Sequence, residues 1–234
     1  MSKTLTINAI IFDLDGTLID SIADIADAMN ASLVELGYPT HPTEAYKSFV
    51  GDGLNELAKR VLPEKQQNNK NIEALAKKFW DNYDIAWYLH TNLYPGVLYL
   101  IQLAVARKMK LAILSNKAHY FTKKMIRHFF RGAMIRHTKN PFGIYAGEEP
   151  GKPAKPDPSV ALELAARMKV KPQNVAFVGD SEVDIKTAKN AGMIAIGAAW
   201  GYRNKKELTA AGADLVFDNP TDMTSYLDAQ PLCP

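Results

Sequence analysis

Ala9-Ile10-Ile11-Phe12-Asp13-Leu14-Asp15-Gly16-Thr17-Leu18 is the stretch whose reading decides the fold. Its opening apolar run is too short for a helix and does not alternate, the pattern of a strand buried on both faces. The run stops abruptly at Asp13. Two later runs behave alike: Leu111-Ala112-Ile113-Leu114 stops at Ser115-Asn116, and Val175-Ala176-Phe177-Val178 stops at Gly179-Asp180. Helical patterns separate them, and Ile194-Ala195-Ile196 and Leu215-Val216-Phe217 add two more short runs. This alternation predicts an α/β fold built on a parallel sheet. Ligands of such sheets bind beyond the carboxyl ends of the strands, so Asp13, Ser115 and Asp180 are expected on one rim.

The interval between the first two of these strands is far longer than a crossover helix needs, which predicts a separate inserted unit. It reads as helical. After Asp20-Ser21, the residues Ile22, Ile25, Ala26, Met29, Leu33 and Leu36 recur at three- and four-residue steps until Gly37 and Pro39 end the pattern. A second helix is expected over residues 54–62, stopped by Pro63, and a further helical stretch over 64–89, with the polar run 66–70 as an exposed loop or helix start. Tyr94-Pro95-Gly96 marks the return to the sheet. The expected division is a discontinuous core, 1–18 with 94–234, around a helical insert, 19–93.

With 234 residues, 47% of them hydrophobic and 23% charged, the chain has the makings of an ordinary globular core. Bulk disorder and collagen-like structure are excluded. The one cysteine, Cys233, permits no intrachain disulfide and suits a reducing compartment. Asp13 and Asp15 interrupt the amino-terminal region before any long apolar stretch forms, so a cytoplasmic protein without a membrane anchor is expected. A formal charge of +3 is too mild to argue for nucleic acid, and exposed aromatics do not interleave with the cations. The charge is unevenly spread, however. Residues 85–147 contain no Asp or Glu, while Arg107, Lys108, Lys110, Lys117, Arg131 and Arg136 are among the cations there. A solvated basic helix face explains most of them; attraction of a small anion is the alternative.

Asp13-Leu14-Asp15-Gly16-Thr17-Leu18, Ser115-Asn116, Lys155-Pro156-Asp157-Pro158 and Gly179-Asp180-Ser181-Glu182-Val183-Asp184 together resemble the four ordered motifs of the haloacid dehalogenase-like hydrolases. The likeness spans nearly the whole chain. Within that superfamily the chain is most similar to the phosphoglycolate phosphatases, which implies a Rossmann-like core and a helical cap inserted after the first strand. Two nearby acids in a loop are ordinarily a turn or a cap; here Gly16-Thr17 and the other motifs outweigh that reading.

The resemblance implies a role for each residue. Asp13 would attack phosphorus and form an aspartyl phosphate, dividing hydrolysis into two easier displacements. Two anions must then meet, and the family supplies Mg²⁺, held by the Asp13 carboxylate, the Asp15 backbone carbonyl and the Asp180 carboxylate. Asp15 would act as general acid and base. Dehalogenase and phosphonate-cleaving relatives lack an acid there, so the acid pair favours phosphoryl transfer. Thr17, Ser115 and Asn116 would lie at the substrate, although Ser and Asn are also common helix caps. Lys155 would neutralise charge on Asp13 and the phosphoryl group. Lys152 also precedes a proline, but the spacing from Lys155 to Gly179-Asp180 fits the family better. Asp184 would orient the metal's surroundings, or else serve as a helix-start carboxylate. Gly51-Asp52-Gly53 resembles the cap loop that meets the substrate, and also reads as an ordinary turn; Trp200-Gly201-Tyr202 resembles the same group. The basic stretch Arg131 to Gly147 departs from the family pattern. The implied partner is a small phosphorylated metabolite, with no nucleic acid and no membrane, and the protein is expected to be a monomer or homodimer. A phosphosugar mutase using the same chemistry and a non-catalytic phosphometabolite-binding protein are the alternatives.

Overall fold

A computed structural model describes residues 5–130 and 140–230. Cys233, Arg131 and Arg136, singled out above, lie outside them. The chain forms two compact units, one of Met1–Leu18 with Leu93–Pro234 and the other of Ile19–Asn92.

The first unit is built on β1 (Ala9–Phe12), β4 (Lys110–Ala118), β5 (Ile144–Glu148), β6 (Val175–Gly179), β7 (Ile194–Ala198) and β8 (Leu215–Phe217). Neighbouring strands run parallel, in the order β5-β4-β1-β6-β7-β8. The apolar runs explain the centre of this order. Every residue of β1, β6 and β7 is buried, as a strand covered by helices on both faces must be. The helices of this unit are α5 (Val97–Ala106), α6 (His119–Phe129), α7 (Ser159–Met168), α8 (Glu182–Asn190), α9 (Lys205–Ala210) and α10 (Pro220–Asp228). On one face Leu164, Ala165 and Met168 of α7 join Ile185 and Ala188 of α8 against Ile11, Phe177 and Ala195 of the sheet. Burying a side chain such as Leu164 is worth about 1.5–3 kcal/mol.

Two features differ from the sequence expectation. β4 continues through Ser115 and Asn116 to Ala118, because pairing with β5 resumes at Ala118 and Glu148 after an irregularity. β5 itself was hidden at the end of the stretch Arg131 to Gly147, because its apolar run is only Ile144-Tyr145-Ala146 and proline and glycine stand just before it.

The second unit holds α1 (Ile22–Glu35), α2 (Thr43–Phe49), α3 (Leu54–Val61) and α4 (Asn69–Ala86), with a 3₁₀ turn at Glu64–Gln66. β2 (Ile19–Asp20) and β3 (Asn92–Leu93) pair where the chain enters and leaves it. Met29 and Leu33 of α1 are buried, as are Leu75, Phe79 and Tyr83 of α4, and Asn82 donates to Ser32 Oγ at 3.0 Å. α2 was not foreseen, since its only buried residue is Tyr46 and so it carries no periodic stripe. The polar run at 66–70 is a helix start: the Asn68 side chain accepts from Asn71 N and caps α4.

Candidate active site

The parallel register brings the expected acids together. Phe12 pairs with Ile113 on one side and Val178 on the other, so the residues that follow these strands emerge side by side. Asp13 N continues the ladder by donating to Val178 O at 2.8 Å. The carboxylates of Asp13, Asp180 and Asp184 offer oxygens that all lie within 4.8 Å of one another. All three residues are buried, Asp184 completely.

Lys155 is the cation set among them. Its Nζ lies 2.8 Å from Asp13 Oδ1 and 2.6 Å from Asp184 Oδ1. Lys152 is exposed and pairs instead with Glu149 at 2.6 Å. Of the two lysines weighed in the sequence, Lys155 is the one set among the acids. The Lys155 backbone is pinned in turn: its N–H donates to Asn116 Oδ1 at 2.9 Å, and Asn116 Nδ2 donates to Lys155 O at 3.1 Å. Asn116, expected at the substrate, has both ends of its amide engaged in holding the lysine.

Asp184 is committed at both oxygens. Oδ2 accepts from Ser181 N at 3.1 Å and Ser181 Oγ at 2.6 Å, forming a capping box that starts α8. Asp184 therefore serves as the helix-start carboxylate and at the same time fixes Lys155, a contact that neither reading of the sequence named. Asp180 accepts from Thr17 Oγ1 at 3.3 Å and from Tyr202 N at 2.9 Å. Thr17, also expected at the substrate, is fully buried and holds Asp180. Trp200 Nε1 donates to Thr17 O at 2.9 Å, tying the Trp200-Gly201-Tyr202 turn to the first motif. This turn tolerates no side chain at Gly201: a Cβ there would stand 2.1 Å from Gly16 O and 2.3 Å from Asp180 Cβ. Gly16 has φ +84 and approaches Asp180 just as closely.

Sequence reasoning counted Lys117 among the cations of residues 85–147 but gave it no role beside Asp15. Its Nζ lies 3.1 and 3.0 Å from the two oxygens of Asp15, while its N–H donates to Ser115 Oγ at 3.2 Å. The available signal was the step of two from Ser115 along β4, which puts both side chains on one face of the strand. Ser115 is buried beside them. Asp52 lies in the other unit, between α2 and α3, where it forms an ion pair with Arg60; Gly51 and Gly53 flank it at φ 123 and 88.

Burial dominates the electrostatics. It pushes the Asp13 carboxyl up to about 7, against the opposing pull of Lys155, and it raises Asp180 well above the ordinary carboxylate range, with the charges of Asp184 and Asp13 adding to the effect. Burial pulls the Lys155 ammonium down, but Asp13 and Asp184 outweigh it and the net shift is upward. With these acids ionised, three carboxylates face one ammonium, an excess of two negative charges in a nearly dry rim. A divalent cation with hard oxygen ligands is the group that this donor set fits.

A parallel sheet with its polar groups gathered at the carboxyl rim defines an α/β enzyme-type scaffold. The family model for haloacid dehalogenase-like hydrolases matches residues 10–198, and the chain belongs to that family. It is 34% identical to a phosphoglycolate phosphatase of Pseudomonas putida over 90% of this chain and 76% of that one. Against a phosphoglycolate phosphatase of Aquifex aeolicus the identity is 30%, over 94% and 96% of the two chains. A crystal structure from Lactobacillus delbrueckii subsp. bulgaricus, provisionally assigned as a phosphoglycolate phosphatase, superposes with a TM-score of 0.86 at 26% identity, covering 95% of this chain and 98% of that one.

Proposed function

We propose that this protein is a Mg²⁺-dependent phosphatase of small phosphomonoesters, with 2-phosphoglycolate as the preferred substrate. The reading is carried by one observation: Lys155 Nζ bridges two buried carboxylates, Asp13 at 2.8 Å and Asp184 at 2.6 Å, beside a third acid, Asp180. The choice of substrate is supported by relatives at 34% and 30% identity that are named phosphoglycolate phosphatases.

In this reading Asp13 is the nucleophile. Its Oδ1 is held by Lys155, and Oδ2 accepts no hydrogen bond among the described residues, which suits it to attack. The attacking oxygen bonds to phosphorus as the ester P–O bond breaks, and the leaving oxygen takes a proton from Asp15. Asp15 must release Lys117 before its carboxyl can carry that proton. Asp15 then takes a proton from water as the water oxygen attacks phosphorus and the bond to Asp13 breaks. Mg²⁺, held by Asp13, Asp180 and the Asp15 carbonyl, would offset the charge of the phosphoryl group and of the acids. Ser115 would hydrogen-bond a phosphoryl oxygen. Lys155 favours the ionised form of Asp13 and aims it, while Asp184, Asn116 and Thr17 hold Lys155 and Asp180 in place. Choice among phosphomonoesters is assigned to the helical unit Ile19–Asn92, through Gly51, Asp52 and Gly53.

The test is phosphate release from 2-phosphoglycolate with Mg²⁺ and again with a chelator. Release that stops on chelation is expected. Absence of release with Mg²⁺ would overturn the substrate, and a sugar phosphate isomerised without net phosphate release would turn the reading toward a mutase.

A further inference from the structure

The opposite end of the same sheet holds a cavity of about 590 Å³. It lies where strands begin: Asn8 precedes β1, Lys110 opens β4 and Ile144 opens β5. Acids crowd the carboxyl rim, whereas this end is lined by Arg107, Lys108, Lys110, Arg167 and Lys169. Met109, Ile144, Met168 and Val170 provide the apolar part of its wall.

Counting charge shows what is left unbalanced. Asp228 stands 3.8 Å from Arg107, and Glu163 stands 3.9 Å from Arg167. Lys108, Lys110 and Lys169 form no ion pair among the described residues. The carboxyl ends of α5 and α7 also meet at this cavity, each worth about half a negative charge. Five cations against two acids and two helix ends leave roughly two positive charges. Neutralising helix ends accounts for part of the lysine content, but not for Lys110, which lies on a strand.

The local backbone adds a second argument. α5 and α7 end in the same way: Met109 N reaches back to Ala104 O, and Val170 N reaches back to Ala165 O, both across a left-handed residue. Glycine is the usual residue at such a position. Here both are lysines, Lys108 at φ 59 and Lys169 at φ 57, and both line the cavity. The conformation therefore does not account for the side chain placed on it, and each of these lysines adds a positive charge to the cavity wall.

We propose that this cavity is a second binding site, for a small organic dianion: a phosphate monoester or phosphonate carrying an apolar body. The excess of two positive charges matches a dianionic phosphoryl group, the apolar wall matches the body, and the volume lies within the range of small-molecule sites, about 300–1,000 Å³. The site is independent of the phosphatase reading, because none of its residues belongs to the acid rim.

Phenylphosphonate is the probe, since it has no ester bond to hydrolyse and is dianionic at mildly alkaline pH. The full-length protein, labelled with ¹³C at the methionine methyls, is titrated and followed by NMR. Saturable shifts of the Met109 and Met168 methyls are expected, with the resonances assigned by Met109→Leu and Met168→Leu. The double variant Lys110→Gln/Lys169→Asn removes two charges while asparagine still accepts the left-handed backbone. It should weaken binding about tenfold or more and keep the unaltered circular dichroism spectrum. Shifts that do not saturate, or that saturate equally in the folded double variant, would overturn the site.

Discussion

The two ends of one sheet carry opposite charge and treat it in opposite ways. At the carboxyl ends of β1 and β6, Asp13 and Asp180 are buried, and Lys155 and Asp184 are locked to them or beside them through short contacts. At the amino ends, Lys108, Lys110 and Lys169 are exposed and reach no acid among the described residues. Charges buried in a rim interact strongly because little water screens them, whereas exposed cations are screened within about 10 Å at ordinary salt. The first arrangement can therefore alter the reactivity of a carboxylate, and the second can gather an anion without changing it. The difference lies in burial and partners more than in the number of charged groups.

The contrast breaks most completely at Asp13. Asp13→Asn should abolish turnover, by at least about 10⁴-fold, while the melting temperature stays close to that of the unaltered protein, because volume is preserved. A folded variant that still turns over 2-phosphoglycolate would remove Asp13 from the chemistry. Lys155→Met comes next. It strands Asp13 and Asp184 in the dry rim and should cost about 3–5 kcal/mol of stability together with nearly all activity. Lys152→Met removes only an exposed pair with Glu149, and its rate and denaturation midpoint should match the unaltered protein. Equal losses from the two lysine variants, measured side by side, would refute the burial argument.

A smaller and graded effect is expected at Asp15. Asp15→Asn should lower the rate by about 10²–10⁴-fold on 2-phosphoglycolate, whose alkoxide needs a proton, and by much less on para-nitrophenyl phosphate. Parallel losses on both substrates would mean that Asp15 does not serve the leaving group. The smallest effect tests the other end: Lys110→Gln/Lys169→Asn should leave the Mg²⁺-supported rate on para-nitrophenyl phosphate unchanged. A large loss of rate with the fold retained would show that the two ends of the sheet are not energetically separate.

Much of this molecule is written locally. Buried strands announce themselves as apolar runs, and the polar residue that ends each run marks the rim, so Asp13 and Asp180 were legible together with the parallel sheet. The four motifs carried the family, and the repeat from Ile22 to Leu36 carried α1. Elements without a repeating apolar stripe stayed hidden: α2 buries little beyond Tyr46, and β5 offers only three apolar residues after a basic, broken stretch.

Partners across the chain were decided by the tertiary structure. Strand order sets β4 and β6 on either side of β1, and that arrangement joins Lys155 to Asp13 and Asp184, gives Asp15 to Lys117, and turns Asn116 and Thr17 inward to support other side chains. The basic cavity is more distributed still, assembled from residues near 8, 107–110, 144 and 167–170. Hydrophobic periodicity reports whether a residue is buried within its own element; it carries no information on which distant side chain will face it, because that depends on how the strands are ordered and how the helices cross them.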